Sequence, residues 1–258
     1  MAAEFPVIWA VIPARYAATR LPGKPLVNLA GKPMIQRVWE RVRMAKRIAK
    51  VVVATDDERI RSAVQSFGGE AIMTRSNHLS GTSRIAEVAA SSIADIFINV
   101  QGDEPLIAPD AVDALADCIA GGDSTNGDES IALATLAVLL KNPADIMDPN
   151  ICKVVLDFNG DALYFSRAPI PWVRDSGNKV HARHWKHLGL YAYRRDALLE
   201  YDTLPPGDLE RLEQLEQLRW LENGYKIRVA ETSHDSVSVD VPDDVPRVEK
   251  LIRESAVE

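Results

Sequence analysis

Cysteine is scarce in this chain: Cys118 and Cys152 are the only two among 258 residues. They lie far apart in sequence and have no metal-ligand spacing, which argues against a disulfide framework and against a zinc cluster. We expect both to be buried structural thiols, because free cysteine behaves as a small apolar residue.

Long apolar runs are also absent. No segment approaches the roughly 20 residues that a membrane-spanning helix needs, and the opening MAAEFPVIWA has neither the basic start nor the cleavage site of a secretory signal. We therefore expect a cytoplasmic protein that does not associate with a membrane.

Positively charged residues are outnumbered: the chain has 30 Lys and Arg and 37 Asp and Glu, which gives a net charge of -7. This balance argues against a general nucleic-acid binder, because duplex affinity comes largely from many cations that neutralise phosphates. A local group of cations can still draw a small anion into a cleft, whatever the overall charge.

The first half of the chain alternates apolar runs with helical patterns. Such alternation predicts a doubly wound α/β fold with a parallel sheet, and strands that read as continuous apolar runs are buried on both faces. The predicted strands are 7–12, 50–55, 70–74 and 95–100, and the predicted helices are 34–45, 58–67, 82–92 and 109–120.

The second half changes character after a polar loop at 121–130. The segments IALATLAVLL, KVVLD and ALYFS, followed by LGLYAYR, predict antiparallel strands, because no helices are evident between the second and third. One helix is expected over 209–224, with its leucines as the core stripe, then a strand in YKIRVAE and a closing helix from about Pro242. We expect a single domain over 1–258, in which about 131–195 forms an antiparallel elaboration.

A stiff basic loop, PARYAATRLPGKPL at 13–26, follows the first strand. It is not a Walker loop, since Gly23-Lys24 is followed by Pro25, and no G-x-G-x-x-G occurs in the chain. Gly23 would let backbone amides approach an anion, while Arg15 and Lys24 supply charge, so a triphosphate cradle is predicted at the carboxyl end of the strand. A solvated surface turn is the alternative.

Two acidic segments offer ligands for a cation. Asp103 in NVQGDEPLI follows a buried strand, and Asp240 ends a short alternating strand in SVSVDVPDD. Because Mg²⁺ is usually held by one or two carboxylates together with substrate phosphates, these two residues and the basic loop form a coherent candidate for a nucleotide–metal site. Asp103 alone would be an ordinary turn residue.

The ordered segments VIPARYAATRLPGKPL, TRSNHLSGTSRIAEV, NVQGDEP, ALYFSRAPIPW, HLGLYAYR, LEQLEQLR and VDVPDD resemble the 3-deoxy-manno-octulosonate (Kdo) cytidylyltransferase family across nearly the whole chain. The resemblance implies a Rossmann-like, GT-A-like nucleotidyltransferase fold with a mixed, mainly parallel sheet and a smaller dimerisation region, and hence a homodimer. It also implies that CMP is transferred from CTP to Kdo, with Mg²⁺ and release of pyrophosphate, for lipopolysaccharide biosynthesis.

The family motifs assign roles to further residues. By this resemblance, Arg15 and Lys24 would hold the triphosphate, Asp103 and Asp240 the metal, and Arg75 and Gln101 would lie near the cytidine. Arg167, His187, Tyr191, Glu216 and Gln217 would face the acid sugar. From the residues alone, Arg167 fits a structural salt bridge equally well, and Glu216 and Gln217 would lie on the solvent face of their helix.

The chain departs from the family pattern at three positions. Ala18 stands where a serine is expected, and Leu79 and Ser83 replace an amide and an acid in the HLSGTSR segment. These departures leave open whether the acceptor is Kdo or an amino-substituted analogue such as 8-amino-Kdo. The remaining alternatives are a cytidylyltransferase for another acidic sugar such as a sialic acid, a nucleotide-sugar glycosyltransferase, and a non-catalytic sensor.

Overall fold

The computed structural model describes residues 5–17, 20–121, 131–174 and 183–254. The elements of the first half are β1 (Ile8–Ala14), β2 (Asn28–Leu29), β3 (Lys32–Pro33), α1 (Met34–Val42), β4 (Lys50–Thr55), α2 (Glu58–Ser66), β5 (Glu70–Met73), α3 (Gly81–Ala90), β6 (Ile96–Asn99) and α4 (Pro109–Ala120). Those of the second half are β7 (Leu133–Leu139), α5 (Pro143–Met147), β8 (Lys153–Leu156), β9 (Ala162–Ser166), β10 (Trp185–Arg194), α6 (Arg195–Glu200), α7 (Asp208–Glu213), α8 (Gln217–Glu222), β11 (Ile227–Glu231) and α9 (Asp244–Glu254).

One nine-stranded sheet joins the two halves. Its main path runs β11-β7-β10-β6-β1-β4-β5, and the β8–β9 hairpin attaches through β8 to β10. The β5–β4–β1–β6 pairs and the β7–β11 pair are parallel, whereas β10 runs antiparallel to both β6 and β7. This mixed, mainly parallel sheet confirms the predicted fold class.

Helices cover both faces of the sheet, as the continuous apolar strands require. On one face α1 and α4 pack through residues such as Ile35 and Leu115. On the other face α3, α6 and α8 pack through residues such as Ile85, Leu198 and Trp220. Among the residues described, no helix is both long and apolar enough to cross a membrane.

The prediction of a single helix over 209–224 is wrong. The chain instead forms α7 and α8, and they are separated at Gln214, whose backbone is left-handed with φ 55°. Leu212 is therefore 80 % exposed, whereas Leu215 and Leu218 are buried. Tertiary contacts favour this break, because the Glu213 carboxylate accepts hydrogen bonds from the Ser166 hydroxyl at 2.5 Å and the Arg167 backbone N–H at 2.9 Å.

Candidate active site

A cleft of about 390 Å³ opens at the carboxyl ends of β1 and β6. This is the edge where doubly wound sheets bind their ligands. Its floor is tightly packed: a Cβ atom at Gly102 would lie 3.2 Å from the Pro13 carbonyl oxygen. The predicted residues Arg15, Lys24, Gln101, Asp103, Glu216 and Asp240 all line this cleft.

The basic loop enters the cleft through a tight turn at Gly23, whose φ of 68° favours glycine. The Gly23 N–H donates to the Tyr16 carbonyl oxygen at 3.1 Å, and the Arg59 guanidinium stacks over the Tyr16 ring at 3.3 Å. Lys24 and Pro25 follow in a short 3-10 turn. These contacts hold Lys24 at the cleft wall.

Lys24 lies between the two carboxylates that the sequence singled out. Its Nζ atom is 2.6 Å from Asp103 Oδ2 and 3.1 Å from Asp240 Oδ1. The two acidic segments are tied together by the backbone, because the Val239 N–H donates to the Asp103 carbonyl oxygen at 2.9 Å. Arg20 adds a second cation, with its Nη2 3.1 Å from Asp240 Oδ1.

Asp244 fixes the backbone that carries Asp240. Its Oδ2 atom accepts hydrogen bonds from the backbone N–H groups of Asp240 at 2.8 Å and Val241 at 3.0 Å. These bonds hold the pKa of Asp244 below its ordinary value, although burial opposes the shift. Asp244 is thus a turn and helix-start residue, and Asp240 is the carboxylate that faces the cleft.

The Asp103–Asp240 pair suits a hard divalent cation. Both carboxylates already converge on one positive charge, that of Lys24, and carboxylate oxygens are the ligands that Mg²⁺ prefers. Within the described ranges no group of three or more His, Cys, Asp or Glu could enclose a metal. A cation held here would therefore take its remaining ligands from phosphate and water.

A second cavity, of about 240 Å³, adjoins the cleft and is lined partly by Gly81, Gln101 and Glu216, which belong to both. His187, Tyr191 and Gln217 line this second cavity but not the cleft. Gln101 is oriented by a 3.1 Å hydrogen bond from its Nε2 to the Gly189 carbonyl oxygen. All the predicted sugar-facing residues except Arg167 thus meet in one cavity beside the cleft.

A β-bulge between Leu188 and Tyr191 shapes this second cavity. It brings the rings of His187 and Tyr191 to a centroid distance of 5.2 Å, whereas residues four apart on a regular strand are separated by about 13 Å. The Thr135 hydroxyl supports the bulge, lying 2.8 Å from the Leu190 carbonyl oxygen and 3.0 Å from His187 Nε2.

Burial sets the protonation of the cavity's titratable groups. It lowers the pKa of His187 to about 3 and raises the pKa of Tyr191 well above its ordinary value, so both are uncharged near neutrality. Enclosure of the carboxylate also raises the pKa of Glu216, against hydrogen bonds from Thr82 and Tyr201. Glu216 lines both the cleft and the second cavity, where the two meet.

Two predicted site residues lie outside both cavities. Arg75 is exposed and pairs with Glu87, with 3.3 Å between Nε and Oε2. Arg167 donates from Nε to the Glu213 carbonyl oxygen at 2.9 Å and from Nη1 to the Pro149 carbonyl oxygen at 3.1 Å. In this arrangement Arg167 supports the turn that carries Glu216 and Gln217.

Two of the three departures from the family pattern, and both cysteines, fall within the described residues. Ala18 lies outside the described residues. Leu79 is 95 % exposed and lines the cleft. The Ser83 hydroxyl donates a hydrogen bond to Asp202 Oδ1 at 2.5 Å. Cys118 and Cys152 are free and partly buried, and burial raises the pKa of Cys152 to about 12.

Three residues that line the site had no role assigned to them from the sequence. Arg20 shares Asp240 with Lys24, and Arg84 lines the cleft while only 4 % exposed, with its Nη1 2.6 Å from Thr74 Oγ1. Asn99 lines the second cavity at 3 % exposure. The cation density of the basic loop gives a signal for Arg20, and a polar residue at the end of an apolar strand gives one for Asn99.

The fold and site together define a nucleotidyltransferase, and comparison with known proteins specifies which. Residues 9–227 match the family model described as Cytidylyltransferase. The chain is 51 % identical over 256 residues to the 3-deoxy-manno-octulosonate cytidylyltransferase of Geobacter metallireducens, covering 95 % of this chain and 98 % of that protein. It is 49 % identical over 251 residues to the enzyme of the same name from Solibacter usitatus, covering 97 % and 96 %.

A solved structure of CMP:2-keto-3-deoxy-manno-octonic acid synthetase, complexed with CTP, agrees with the fold at a TM-score of 0.88. The two chains are 46 % identical, and the match covers 96 % of this chain and 99 % of that one. The chain therefore belongs to the cytidylyltransferase family, and within it to the 3-deoxy-manno-octulosonate cytidylyltransferases, which confirms the resemblance seen in the sequence motifs.

Proposed function

We propose that the protein transfers CMP from CTP to the anomeric C2 hydroxyl of 3-deoxy-manno-octulosonate, or of an amino-substituted analogue, and releases pyrophosphate. The product would serve lipopolysaccharide biosynthesis. The observation that carries the proposal is the junction of the two cavities at Gly81, Gln101 and Glu216. An acid sugar in the second cavity would there meet a nucleotide in the cleft.

The cleft's charges suit a triphosphate. Arg15 and Lys24, the two predicted triphosphate ligands, would neutralise its oxygens, and Arg20 and Arg84 add positive charge to the lining of the cleft. Phosphoryl-type transfer asks little covalent work of the protein, so positioning and charge neutralisation supply most of the catalysis. The cleft would thus hold the α-phosphorus in line with the attacking hydroxyl and the departing pyrophosphate.

Asp103 and Asp240 would hold Mg²⁺ together with phosphate oxygens. When bound there, the ion would neutralise the triphosphate and make the acceptor hydroxyl more acidic. Lys24 shares both carboxylates in the structure, so its ammonium must turn towards the triphosphate for the pair to serve as metal ligands.

His187, Tyr191, Glu216 and Gln217 would bind the acceptor, and Arg75 and Gln101 would lie near the cytidine. His187 acts as a neutral hydrogen-bonding group because burial lowers its pKa to about 3, so it is not a source of positive charge for the substrate carboxylate. Arg167 would support acceptor binding indirectly. Its hydrogen bond to the Glu213 carbonyl oxygen holds the turn that carries Glu216 and Gln217.

We further propose a cytoplasmic homodimer formed through the antiparallel elaboration. Its β8–β9 hairpin and the segment that follows carry large exposed apolar side chains, including Leu163 at 63 % and Trp172 at 74 % exposure. Exposed apolar side chains of this size would be covered in an interface between two copies of the chain.

Acceptor-dependent pyrophosphate release tests the proposed function. The assay uses CTP, Mg²⁺ and, in parallel, 3-deoxy-manno-octulosonate, its 8-amino analogue and a sialic acid. We expect release with one of the first two acceptors and little with the third. Release only with the sialic acid would shift the assignment to another acidic-sugar cytidylyltransferase, and CTP binding without release from any acceptor would favour the sensor.

A further inference from the structure

Strands β1 and β4 are parallel neighbours, and Ala14 at the end of β1 stands opposite Thr55 at the end of β4. The basic loop after β1 and the turn into α2 after β4 therefore leave the sheet side by side, at the same edge. Tyr16 comes two residues after Ala14, and Asp57 comes two residues after Thr55. The register of the two strands thus brings the start of the basic loop to the start of α2.

Asp57 and Arg59 form a fixed pair at the start of α2. The Asp57 carboxylate caps the helix by accepting a hydrogen bond from the Arg59 backbone N–H at 2.9 Å. It also accepts two hydrogen bonds from the Arg59 guanidinium, from Nε at 2.9 Å and from Nη2 at 2.6 Å. Because a bidentate pair of this kind fixes the plane of the guanidinium, the Arg59 side chain has a defined orientation although it is 60 % exposed.

The Arg59 guanidinium lies over the ring of Tyr16. Its central carbon, Cζ, is 3.3 Å from the ring centroid, which is a stacking contact. Gly23 is a further neighbour of the ring, since a Cβ atom at this glycine would lie 3.2 Å from the ring atoms Cε2 and Cζ. Tyr16 is half-buried and also packs against the apolar core that α1 and α4 share with the sheet. The ring is therefore enclosed by Arg59, Gly23 and the core.

The enclosed ring lies at the neck of the basic loop, where the Tyr16 carbonyl oxygen accepts a hydrogen bond from the Gly23 N–H at 3.1 Å. The two predicted triphosphate ligands flank this neck: Arg15 immediately precedes it and Lys24 immediately follows it. Both of them line the cleft, whereas Tyr16 and Arg59 do not belong to its described lining. The neck therefore fixes the backbone positions of two cations that would share one triphosphate.

We propose that Arg59 is a positioning residue for the nucleotide. Held by Asp57 and stacked on Tyr16, it fixes the neck of the basic loop before CTP binds. This inference rests on the proposed function, in which Arg15 and Lys24 bind the triphosphate of CTP. A loop that is ordered before binding increases the affinity, because the ligand does not have to order it.

The test uses Arg59→Met, which keeps an unbranched side chain and the backbone N–H that Asp57 caps but removes the planar guanidinium. We expect the dissociation constant of CTP with Mg²⁺, measured by titration calorimetry without acceptor, to rise about fivefold, the effect of losing a stacked cation. KM for CTP should rise as well, while KM for the acceptor is unchanged. Arg61→Met is the matched control, since Arg61 lies on the same helix and pairs with Glu58 at 2.8 Å.

A double-mutant cycle with Tyr16 shows whether Arg59 acts through the ring. Tyr16→Phe keeps the ring and should bind CTP as the wild type does, whereas Tyr16→Leu should weaken binding at least as much as Arg59→Met. The double variant should bind CTP as Tyr16→Leu does, because both substitutions remove the same contact. Arg59→Met should unfold at the wild-type temperature, since the bond that caps α2 is retained.

The outcomes separate the two proposals. If the wild type does not bind CTP with Mg²⁺, the proposed function fails and the positioning role fails with it. If CTP binding depends on Arg59 but no acceptor gives pyrophosphate release, the positioning role holds and the proposed transfer fails. If the wild type turns over and Arg59→Met binds CTP as tightly as Arg61→Met, the positioning role alone is overturned. The same holds if the effects of Arg59→Met and Tyr16→Leu add, or if KM for the acceptor rises together with KM for CTP.

Discussion

At the scale of single residues, Lys24 joins two acidic segments that are separated by more than 130 positions in the chain. Its ammonium group lies within 3.1 Å of carboxylate oxygens from both Asp103 and Asp240. The lysine side chain is only 16 % exposed, so the three charges interact with less screening than a surface salt bridge.

Asp103→Asn should reduce turnover roughly 100-fold or more while the protein remains folded. The substitution keeps the shape of the side chain but removes a charge from a carboxylate pair that would hold Mg²⁺, and such a ligand supplies several kcal/mol of transition-state stabilisation. Steady-state pyrophosphate release measures the loss. Asp235→Asn is the matched control, since Asp235 pairs with Lys186 at 2.6 Å outside the cleft. Near-normal turnover in Asp103→Asn would show that Asp103 does not serve the metal.

Lys24→Met should increase the affinity for Mn²⁺ in the absence of nucleotide by about tenfold. The same variant should raise KM for CTP. The ammonium and a divalent cation compete for the same two carboxylates, and tenfold corresponds to about 1.4 kcal/mol. Titration calorimetry of the nucleotide-free protein measures this affinity. Lys32→Met, which removes a lysine paired with Glu40 away from the cleft, provides the control. Unchanged or weaker Mn²⁺ binding in Lys24→Met would contradict the competition.

At the scale of secondary-structure elements, the loop between β6 and α4 carries two acidic residues in different environments. Asp103 faces the cleft, whereas Glu104 is 7 % exposed beneath it, beside Ser236 and Lys186. Burial, reinforced by the charge of Asp103, raises the pKa of Glu104 to about 7. Glu104 is therefore a structural residue whose ionisation opposes the folded state.

Glu104→Gln should become progressively more stable, relative to the wild type, as pH rises from about 4.5 to 8. The folded wild type retains a proton on Glu104 that the unfolded chain releases near pH 4.5. Its stability is therefore greatest below that pH and declines by about 3 kcal/mol as pH rises to about 7. Denaturant unfolding at several pH values measures the difference. Glu231→Gln, at the exposed end of β11, is the control, and parallel curves for Glu104→Gln and wild type would contradict the prediction.

The sequence predicted most elements to within a few residues, because each first-half strand is a continuous apolar run and each helix has a clear amphipathic period. It could not predict the break at Gln214. The leucine spacing of 209–221 fits one helix, whereas tertiary bonds such as those from Ser166 and Arg167 to Glu213 favour the break. The bulge at 188–191 is likewise a tertiary feature, since it depends on the Thr135 hydroxyl across the sheet.

At the scale of the whole molecule, β10 unites the two halves that the sequence distinguishes. It pairs with β6 of the first half on one side and with β7 of the second half on the other. The cleft is lined mainly by the first half, with Glu216 and Asp240 contributed by the second, and the second cavity is lined by residues of both halves. The family motifs predicted several residues that line the two cavities, but only the fold reveals that Asn99 and Tyr191 are neighbours.

Light scattering should give the wild type a molar mass about twice the 28.4 kDa of the chain. Trp172→Glu should reduce that mass to a monomer, because a charge would be placed on the exposed apolar surface of the elaboration. Ile93→Glu changes an apolar residue outside residues 131–195 that is at least as exposed, and this variant should remain dimeric. A monomeric wild type, or a dimer unaffected by Trp172→Glu, would rule out this interface.

The most direct measurement is the fate of the acceptor's own oxygen during the reaction. The C2 hydroxyl of 3-deoxy-manno-octulosonate is labelled with ¹⁸O, the acceptor is mixed with CTP, Mg²⁺ and the protein, and the products are analysed by mass spectrometry. Direct attack on the α-phosphorus predicts that the label appears in a CMP-sugar, bridging sugar and phosphorus, and that the pyrophosphate is unlabelled. Release of a nucleoside diphosphate, or a product without the label, would contradict cytidylyl transfer at this site.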